Sequence, residues 1–408
     1  MTTDTSSLMP YAPVNLAPRK DSHFFLRALE HIQYGRMFLT TPEGSVLEFS
    51  GNEEGPIAHL HLHDWNALDE LVGRGEIGFA EAYIHRQWDT PDLPALLTFG
   101  LVNTDALEDF FHGKPLYALW LRLKNIFRRN SVQGSRRNIT KHYDLGNEFY
   151  ALWLDKGMTY SCGLFEQQPQ LTLEEAQQRK YQRILYKIAA KPGEHILEIG
   201  CGWGGFAIAA ANAGLQVTAL TISEKQADYA RQRIAQQGLS HRISVQLKDY
   251  RTIEGMFDHI VSIGMFEHVG EEYWPAYFRT IKQHLKPGGR ALVQSITLQD
   301  RLFEKLHGVT GFIEEYIFPG GLLPSKTRFC SSALKAGLMC REIFTFGDDY
   351  VLTLHRWLSR FEARKREVMA LGYDESFLRL WKFYLSSCIA SFASRRTDVM
   401  QAEIMHAL

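Results

Sequence analysis

The chain predicts an α/β fold built on a doubly wound parallel sheet, and three observations carry that expectation. A short apolar run, with Ile196, Leu197 and Ile199, leads into Gly200-Cys201-Gly202-Trp203-Gly204-Gly205, and a small-residue, alanine-rich run follows over residues 206–213. Strand-like and helix-like segments then alternate as far as residue 296, the pattern of a parallel sheet with crossover helices. The chain of 408 residues, 45% of them hydrophobic, is long enough to bury a full core and to hold two domains.

Residues 1–20 are rich in Thr, Ser and Pro and read as a flexible lead-in. Residues 21–110 form a smaller accessory domain of α+β type. Phe24, Phe25, Leu26, Leu29 and Ile32 have helical spacing, and residues 37–39 and 46–49 are strand-like about the turn Pro42-Glu43-Gly44. Residues 57–63 alternate strictly, placing His59, His61 and His63 on one strand face and Leu60 and Leu62 on the other. Three histidines at that spacing could ligate a metal, but no carboxylate or Cys partner stands out nearby, and a solvent-facing strand is the preferred reading. Asp64 or Asn66 caps a helix through Leu68 and Leu71, and residues 79–88 read as another amphipathic helix stopped by Asp89-Thr90-Pro91. This region shows no catalytic constellation.

Between residues 111 and 143 there is no acidic residue, whereas Lys114, Arg122, Lys124, Arg128, Arg129, Arg136, Arg137 and Lys141 are basic. Residues 116–127 within it form a basic amphipathic helix, in a linker over residues 111–137. Such a segment can lie in the interface of an anionic bilayer, each cation contributing about 1 kcal/mol, or pack on the next domain with a solvated basic face. A catalytic domain over residues 138–408 follows. Thr172 and Glu175 make a capping box opening a helix to about residue 190, and Lys191-Pro192-Gly193 leads into the opening strand. Strands are expected at residues 217–220, 243–247, 257–263 and 290–296, the last after the turn Lys286-Pro287-Gly288-Gly289. Helices are expected at 224–237, 273–285 and 301–317, and residues 350–408 read as almost wholly helical.

A net charge of -1 excludes nothing local but gives no global attraction to nucleic acid. Five cysteines without CxxC spacing argue against a disulfide framework and a zinc ribbon, and suit a reducing cytoplasm. With no run of 18 apolar residues, the expectation is a soluble protein, or one sitting on a membrane surface.

A dinucleotide site demands an acid at the tip of the second strand, about 20 residues past the glycines. That tip here is Thr221-Ile222-Ser223, and Gly204-Gly205 breaks the third glycine spacing. An acid on the first strand, Glu198, and the Lys-Pro-Gly-Gly turn suit S-adenosylmethionine better, since the glycine backbone admits its methionyl end and a carboxylate favours its amine.

Six segments then occur in order: Lys141-His142-Tyr143-Asp144-Leu145-Gly146-Asn147, Tyr160-Ser161-Cys162, residues 197–204, Thr221-Ile222-Ser223-Glu224-Lys225-Gln226, Gly264-Met265-Phe266-Glu267-His268-Val269-Gly270 and Ile317-Phe318-Pro319-Gly320-Gly321. Over residues 80 to 395 the chain resembles the cyclopropane-fatty-acyl-phospholipid synthase family, which includes the mycolic acid cyclopropane synthases. The resemblance implies a class I S-adenosylmethionine-dependent methyltransferase fold, a Rossmann-like doubly wound sheet with helical lid elements. Its cofactor contacts fall on Tyr143, Tyr160, Ser161, Glu198, Gly200, Gly202, Gly204, Thr221, Gln226, Asp249 and Tyr250, with Gln226 standing in for the missing ribose acid and Tyr250 flanking adenine.

The implied reaction moves a methyl group to a cis double bond of a phospholipid acyl chain, leaving a carbocation that closes to a cyclopropane ring once a base, in this family a bound bicarbonate, takes a proton. The bicarbonate ligands fall on Cys162, Glu267, the backbone of Ile296, Tyr350 and a position that is His in the family but Gln294 here. Gln donates a hydrogen bond but cannot carry charge or relay a proton, so a methyl-branched or methylene product is the alternative to the ring. A non-catalytic lipid-binding role is a third reading, opposed by the presence of Cys162, Glu267 and Tyr350. Glu267-His268 could form a general acid–base pair, or simply end a strand. The resemblance further implies a cytoplasmic enzyme recruited to the anionic inner leaflet, as a homodimer, with the C-terminal helices covering the acyl pocket.

Overall fold

The structure, a computed structural model, describes residues 20–105, 107 and 145–407. The basic segment and Tyr143 lie outside the described residues. The chain divides into two compact units, residues 1–115 and 116–408.

In the first unit, helix α1 (Lys20–Leu29) precedes strands β1 (Tyr34–Thr40), β2 (Val46–Ser50) and β3 (Glu53–Leu62). The sheet order is β2-β1-β3-β4, with β1 and β3 parallel. The alternation in β3 holds: Ala58, Leu60 and Leu62 are buried, His61 is exposed, and His59 stacks on Phe38 with ring centroids 5.1 Å apart. Among the described residues no group of three potential metal ligands forms. The helix expected over residues 79–88 is corrected. Helix α2 (Asn66–Ile84) is broken at Gly75 (φ 62°) and stops at Ile84, and β4 (Trp88–Asp89) pairs instead with Leu62 and His61. Burial of Trp88 explains the change: its ring stacks 4.1 Å from that of Phe79, and its indole N–H donates to the Phe79 carbonyl. Helix α3 (Leu93–Val102) is capped by the Asp92 side chain.

The second unit is built on a seven-stranded sheet, in the order β10-β11-β9-β8-β5-β6-β7. Strands β5 (His195–Ile199), β6 (Gln216–Thr221), β7 (Ile243–Leu247), β8 (Phe257–Ile263) and β9 (Leu285–Leu298) are parallel neighbours. Their apolar runs pack helices on both faces, which is the doubly wound arrangement expected. On one face helices α4 (Leu173–Lys187), α5 (Gly205–Asn212) and α6 (Glu224–Gln236) bury Ile184, Phe206, Ala230 and Ile234 against Ile196, Val217 and Leu292. On the other, α7 (Trp274–His284) and α8 (Lys326–Lys335) bury Phe278, Ile281 and Phe329 against Ile260, Ala291 and Val293. The Thr172–Glu175 capping box forms as expected, with Glu175 N–H donating to Thr172 Oγ1 at 3.2 Å and Thr172 N–H to Glu175 Oε2 at 2.8 Å.

Two expectations fail near the end of the chain. Residues 350–408 are not almost wholly helical: after α9 (Gly347–Ala363) and α10 (Glu375–Ala393), β11 (Thr397–His406) enters the sheet antiparallel to β9, and β10 (Leu338–Thr345) pairs with it at the edge. The buried polar residues of this strand find partners there, Gln401 on the buried Gln294 and Glu403 on the more exposed Arg290 and Arg341. The helix expected over 301–317 is two short ones, Asp300–Leu306 and Phe312–Tyr316.

Candidate active site

A cavity opens at the carboxyl ends of β5, β6, β7 and β8, where open α/β sheets hold their ligands. The glycine loop after β5 forms its floor. Leu220 O accepts the amides of Gly200 and Cys201 at 3.0 and 2.7 Å, tying the loop to β6. Gly200 and Gly202 turn at φ 83° and 52°, which side chains rarely adopt. A Cβ on Gly202 would point into open space, so its absence leaves the backbone bare to a ligand. Gly204, expected beside them, does not line the cavity; it turns at φ 82° to start α5 and packs on Ala230.

Tyr160, Ser161, Glu198, Gly200, Gly202, Thr221, Gln226, Asp249, Tyr250 and His268 all face this cavity. Glu198 is its electrostatic centre. It is 2% exposed, and its Oε2 has no hydrogen-bond partner. Burial pushes its carboxyl up to about 8 despite the nearby Lys180. Thr221 Oγ1 donates to Gln226 Oε1 at 3.0 Å, which leaves the Gln226 amide N–H groups as donors on the wall. Asp249 is already engaged: Arg251 donates to its two carboxylate oxygens at 2.8 and 2.7 Å. Tyr250 packs edge-on against Tyr277, ring centroids 5.5 Å apart, with its phenol held protonated by burial.

Tyr160 belongs to an aromatic wall. Its ring lies 5.4 Å from that of Trp153 and 5.3 Å from that of Trp357, and its hydroxyl meets that of Tyr384 on α10 at 2.6 Å. The loop around residues 160–166 is held from below. Gln177 donates to Ser161 O at 2.8 Å, Lys180 to Ser161 Oγ at 2.7 Å, and the Asp349 carboxylate accepts the Phe165 amide at 2.7 Å. Sequence reasoning missed Lys180, yet a signal existed. It falls on the buried stripe of α4 with Leu173, Ala176, Gln177, Tyr181 and Ile184, where a lysine is out of place. It is fully buried, and desolvation brings its amine down to about 7.

The remaining candidates lie outside the lining of that cavity, around the end of β9. Glu267 Oε1 accepts the Ile296 amide at 2.6 Å, while Oε2 is buried without a partner. Burial pushes this carboxyl up to about 7, so it exchanges a proton near neutral pH. The expected Glu267–His268 pair is split: His268 turns to the cavity beside Phe318, and desolvation holds its imidazole down to about 4, hence neutral. Cys162 is fully buried and its thiol is driven well up by desolvation, which disfavours a thiolate nucleophile. Its Sγ sits 4.0 Å from Thr353 Oγ1 on α9, and Thr353 also accepts the Gly163 amide at 3.1 Å. Tyr350, on the first turn of α9, packs 4.5 Å from the Phe392 ring and stays protonated. Gln294 is 2% exposed, its Oε1 bonded to Gln401 Nε2 at 3.0 Å.

Comparison with known proteins places these features in context. Residues 130–402 match the mycolic acid cyclopropane synthetase family. The chain is 38% identical over 356 residues to the tuberculostearic acid methyltransferase UfaA1 of Mycobacterium tuberculosis, covering 84% of this chain and 82% of that protein. It is 34% identical over 345 residues to the cyclopropane-fatty-acyl-phospholipid synthase of Escherichia coli, covering 84% and 87%. Among solved structures, mycolic acid cyclopropane synthase CmaA1 complexed with SAH and CTAB superposes with a TM-score of 0.62 at 32% identity, over 66% of this chain and 97% of that one.

Proposed function

The chain belongs to the mycolic acid cyclopropane synthetase family of S-adenosylmethionine-dependent methyltransferases, and from that premise we propose that it methylates the cis double bond of an unsaturated phospholipid acyl chain and closes the product to a cyclopropane ring. The observation that carries the cofactor assignment is the buried, unpartnered Glu198 oxygen beside a bare glycine loop. A carboxyl so placed fits a ligand bearing an ammonium group and a backbone-sized methionyl chain. Gln226 and Thr221 would take the ribose hydroxyls, Tyr250 would flank the adenine, and Tyr160 and Ser161 would close the opposite wall. When bound there, S-adenosylmethionine supplies an electrophilic methyl group on a sulfonium.

An alkene is a weak nucleophile, so the protein's contribution is alignment rather than activation. The rigid Tyr160–Trp153–Trp357 wall suits that task, and its aromatic faces would stabilise positive charge on the acyl chain while excluding water. Cys162, Glu267, Gln294, Ile296 and Tyr350 are read as an oxyanion site. Glu267 in its protonated form, the Tyr350 phenol and the Gln294 amide would offer donors, although the Ile296 amide is already given to Glu267. Bound there, bicarbonate would supply a base for the proton lost from the new methyl group.

A second reading has its own observation. Gln294 replaces the family His and cannot relay a proton, and a relative 38% identical is named a tuberculostearic acid methyltransferase, which favours a methyl-branched or methylene product. Recruitment of a cytoplasmic enzyme to the inner leaflet, through residues 111–137 and the accessory domain 21–110, belongs to the proposal, as does a homodimer. Among the described residues no helix is long and apolar enough to cross a membrane. The test incubates purified protein with methyl-labelled S-adenosylmethionine and vesicles of cis-monounsaturated phospholipid, with and without bicarbonate. A ring product stimulated by bicarbonate supports the first reading, a methylated chain without a ring the second. No incorporation on any unsaturated phospholipid overturns both.

A further inference from the structure

Gln294 is the near end of a chain of hydrogen bonds with a fixed direction. β9 and β11 run antiparallel with Gln294 directly opposite Gln401. Both side chains are buried, and Gln401 Nε2 donates to Gln294 Oε1 at 3.0 Å. Behind them, Arg183 on α4 donates to Gln401 Oε1. Arg183 is anchored in turn by Glu342 at 3.3 Å and by stacking 3.9 Å over the Phe344 ring, both on β10.

A guanidinium has donors and no acceptor, whereas an amide has both and can be turned end for end. Two glutamines alone could therefore bond in either sense. Arg183 removes that freedom. The Gln401 oxygen must face the guanidinium, its nitrogen must face Gln294, and Gln294 must offer its own oxygen to Gln401. The group left over is Gln294 Nε2, a donor that makes no hydrogen bond among the described residues. Reversing the relay would set an arginine N–H against an amide N–H in a buried place, and so leave buried donors unpaired.

We propose that Gln401 and Arg183 are positioning residues that fix the Gln294 amide as a hydrogen-bond donor toward the site at the end of β9 and keep its oxygen from accepting a hydrogen bond there. The inference rests on the reading of Cys162, Glu267, Gln294, Ile296 and Tyr350 as an oxyanion site. It also bears on the replacement of His. An imidazole opposite the Gln401 N–H would accept through one nitrogen and present its own N–H, so the relay would hold either residue as a donor toward the site.

Gln401→Glu tests this. The carboxylate keeps the shape and the Arg183 contact but cannot donate, so the Gln294 amide must turn its nitrogen inward and its oxygen to the site. The expected result is turnover on cis-monounsaturated phospholipid vesicles at least tenfold lower and half-saturating bicarbonate at least tenfold higher. S-adenosylhomocysteine affinity, measured by calorimetry, stays within twofold and shows the fold intact. Arg183→Met, farther from the site, should produce a smaller loss of the same kind. Wild-type turnover and bicarbonate response in Gln401→Glu would overturn the relay. If Gln294→Leu also behaves as wild type, the oxyanion reading itself fails and the relay falls with it.

Discussion

Above about pH 8, where the wild-type carboxyl is ionised, Glu198→Gln should weaken binding of S-adenosylmethionine by about 10- to 150-fold, and at lower pH it should abolish the pH dependence of that binding. The carboxyl is buried with one oxygen unpartnered, and burial raises it to about 8 from the ordinary 4.5. Below that value the empty site holds a proton, which an incoming ammonium must displace. Wild-type affinity should thus rise about tenfold per pH unit between about pH 6 and 7.5. The charge-assisted bond lost in the variant contributes ~1.5–3 kcal/mol, and each ~1.4 kcal/mol is tenfold in affinity, which sets the range. Without ligand the sign reverses. A carboxyl whose folded value lies above its unfolded one contributes stability at low pH and loses it as the pH rises through about 8. Ligand-free Glu198→Gln should therefore match wild type near pH 5 and melt higher near pH 8.5. Calorimetry in buffers of different ionisation enthalpy would read the proton released. A variant binding within twofold of wild type, with no proton release in the wild type, would refute the reasoning.

Other outcomes follow from the same geometry. Glu267→Gln keeps a donor beside the Ile296 amide and should retain far more turnover than Glu267→Ala, compared with labelled methyl donor at saturating lipid. Lys180→Met removes an amine held down to about 7, so the stability that the wild type gains from this group between about pH 7 and 10 should vanish from its melting curve, while the lost bond to Ser161 weakens cofactor binding. Thr172→Ala opens the capping box and should cost about 1 kcal/mol in denaturant titration without changing the cofactor's Kd.

The parallel half of the sheet was legible because each strand there is a short apolar run bounded by turn residues. Strand β7 and the capping box fall at the residues expected. The antiparallel end was not legible, since β11 carries Gln401 and Glu403 inside an apolar run and only partners distant in sequence make those residues at home in a sheet. The helix-like reading of 85–88 failed for a similar reason, the docking of Trp88 on Phe79. At the site, motif order found the lining residues around the glycine loop. It could not find the support beneath them, Lys180 under Ser161 or Asp349 under Phe165, because those contacts join segments 19 and 184 residues apart. Nor could it see that Gly204 starts a helix, or that Asp249 is spent on Arg251.

The most direct test of the central claim uses S-adenosylmethionine carrying a trideuterated methyl group and cis-monounsaturated phospholipid vesicles, with products resolved by mass spectrometry and proton NMR. Transfer followed by loss of one proton equivalent from the new methyl group and ring closure predicts two deuterium atoms retained on a cyclopropane methylene. Three deuterium atoms on a methyl branch, or no transfer to the lipid, would contradict it.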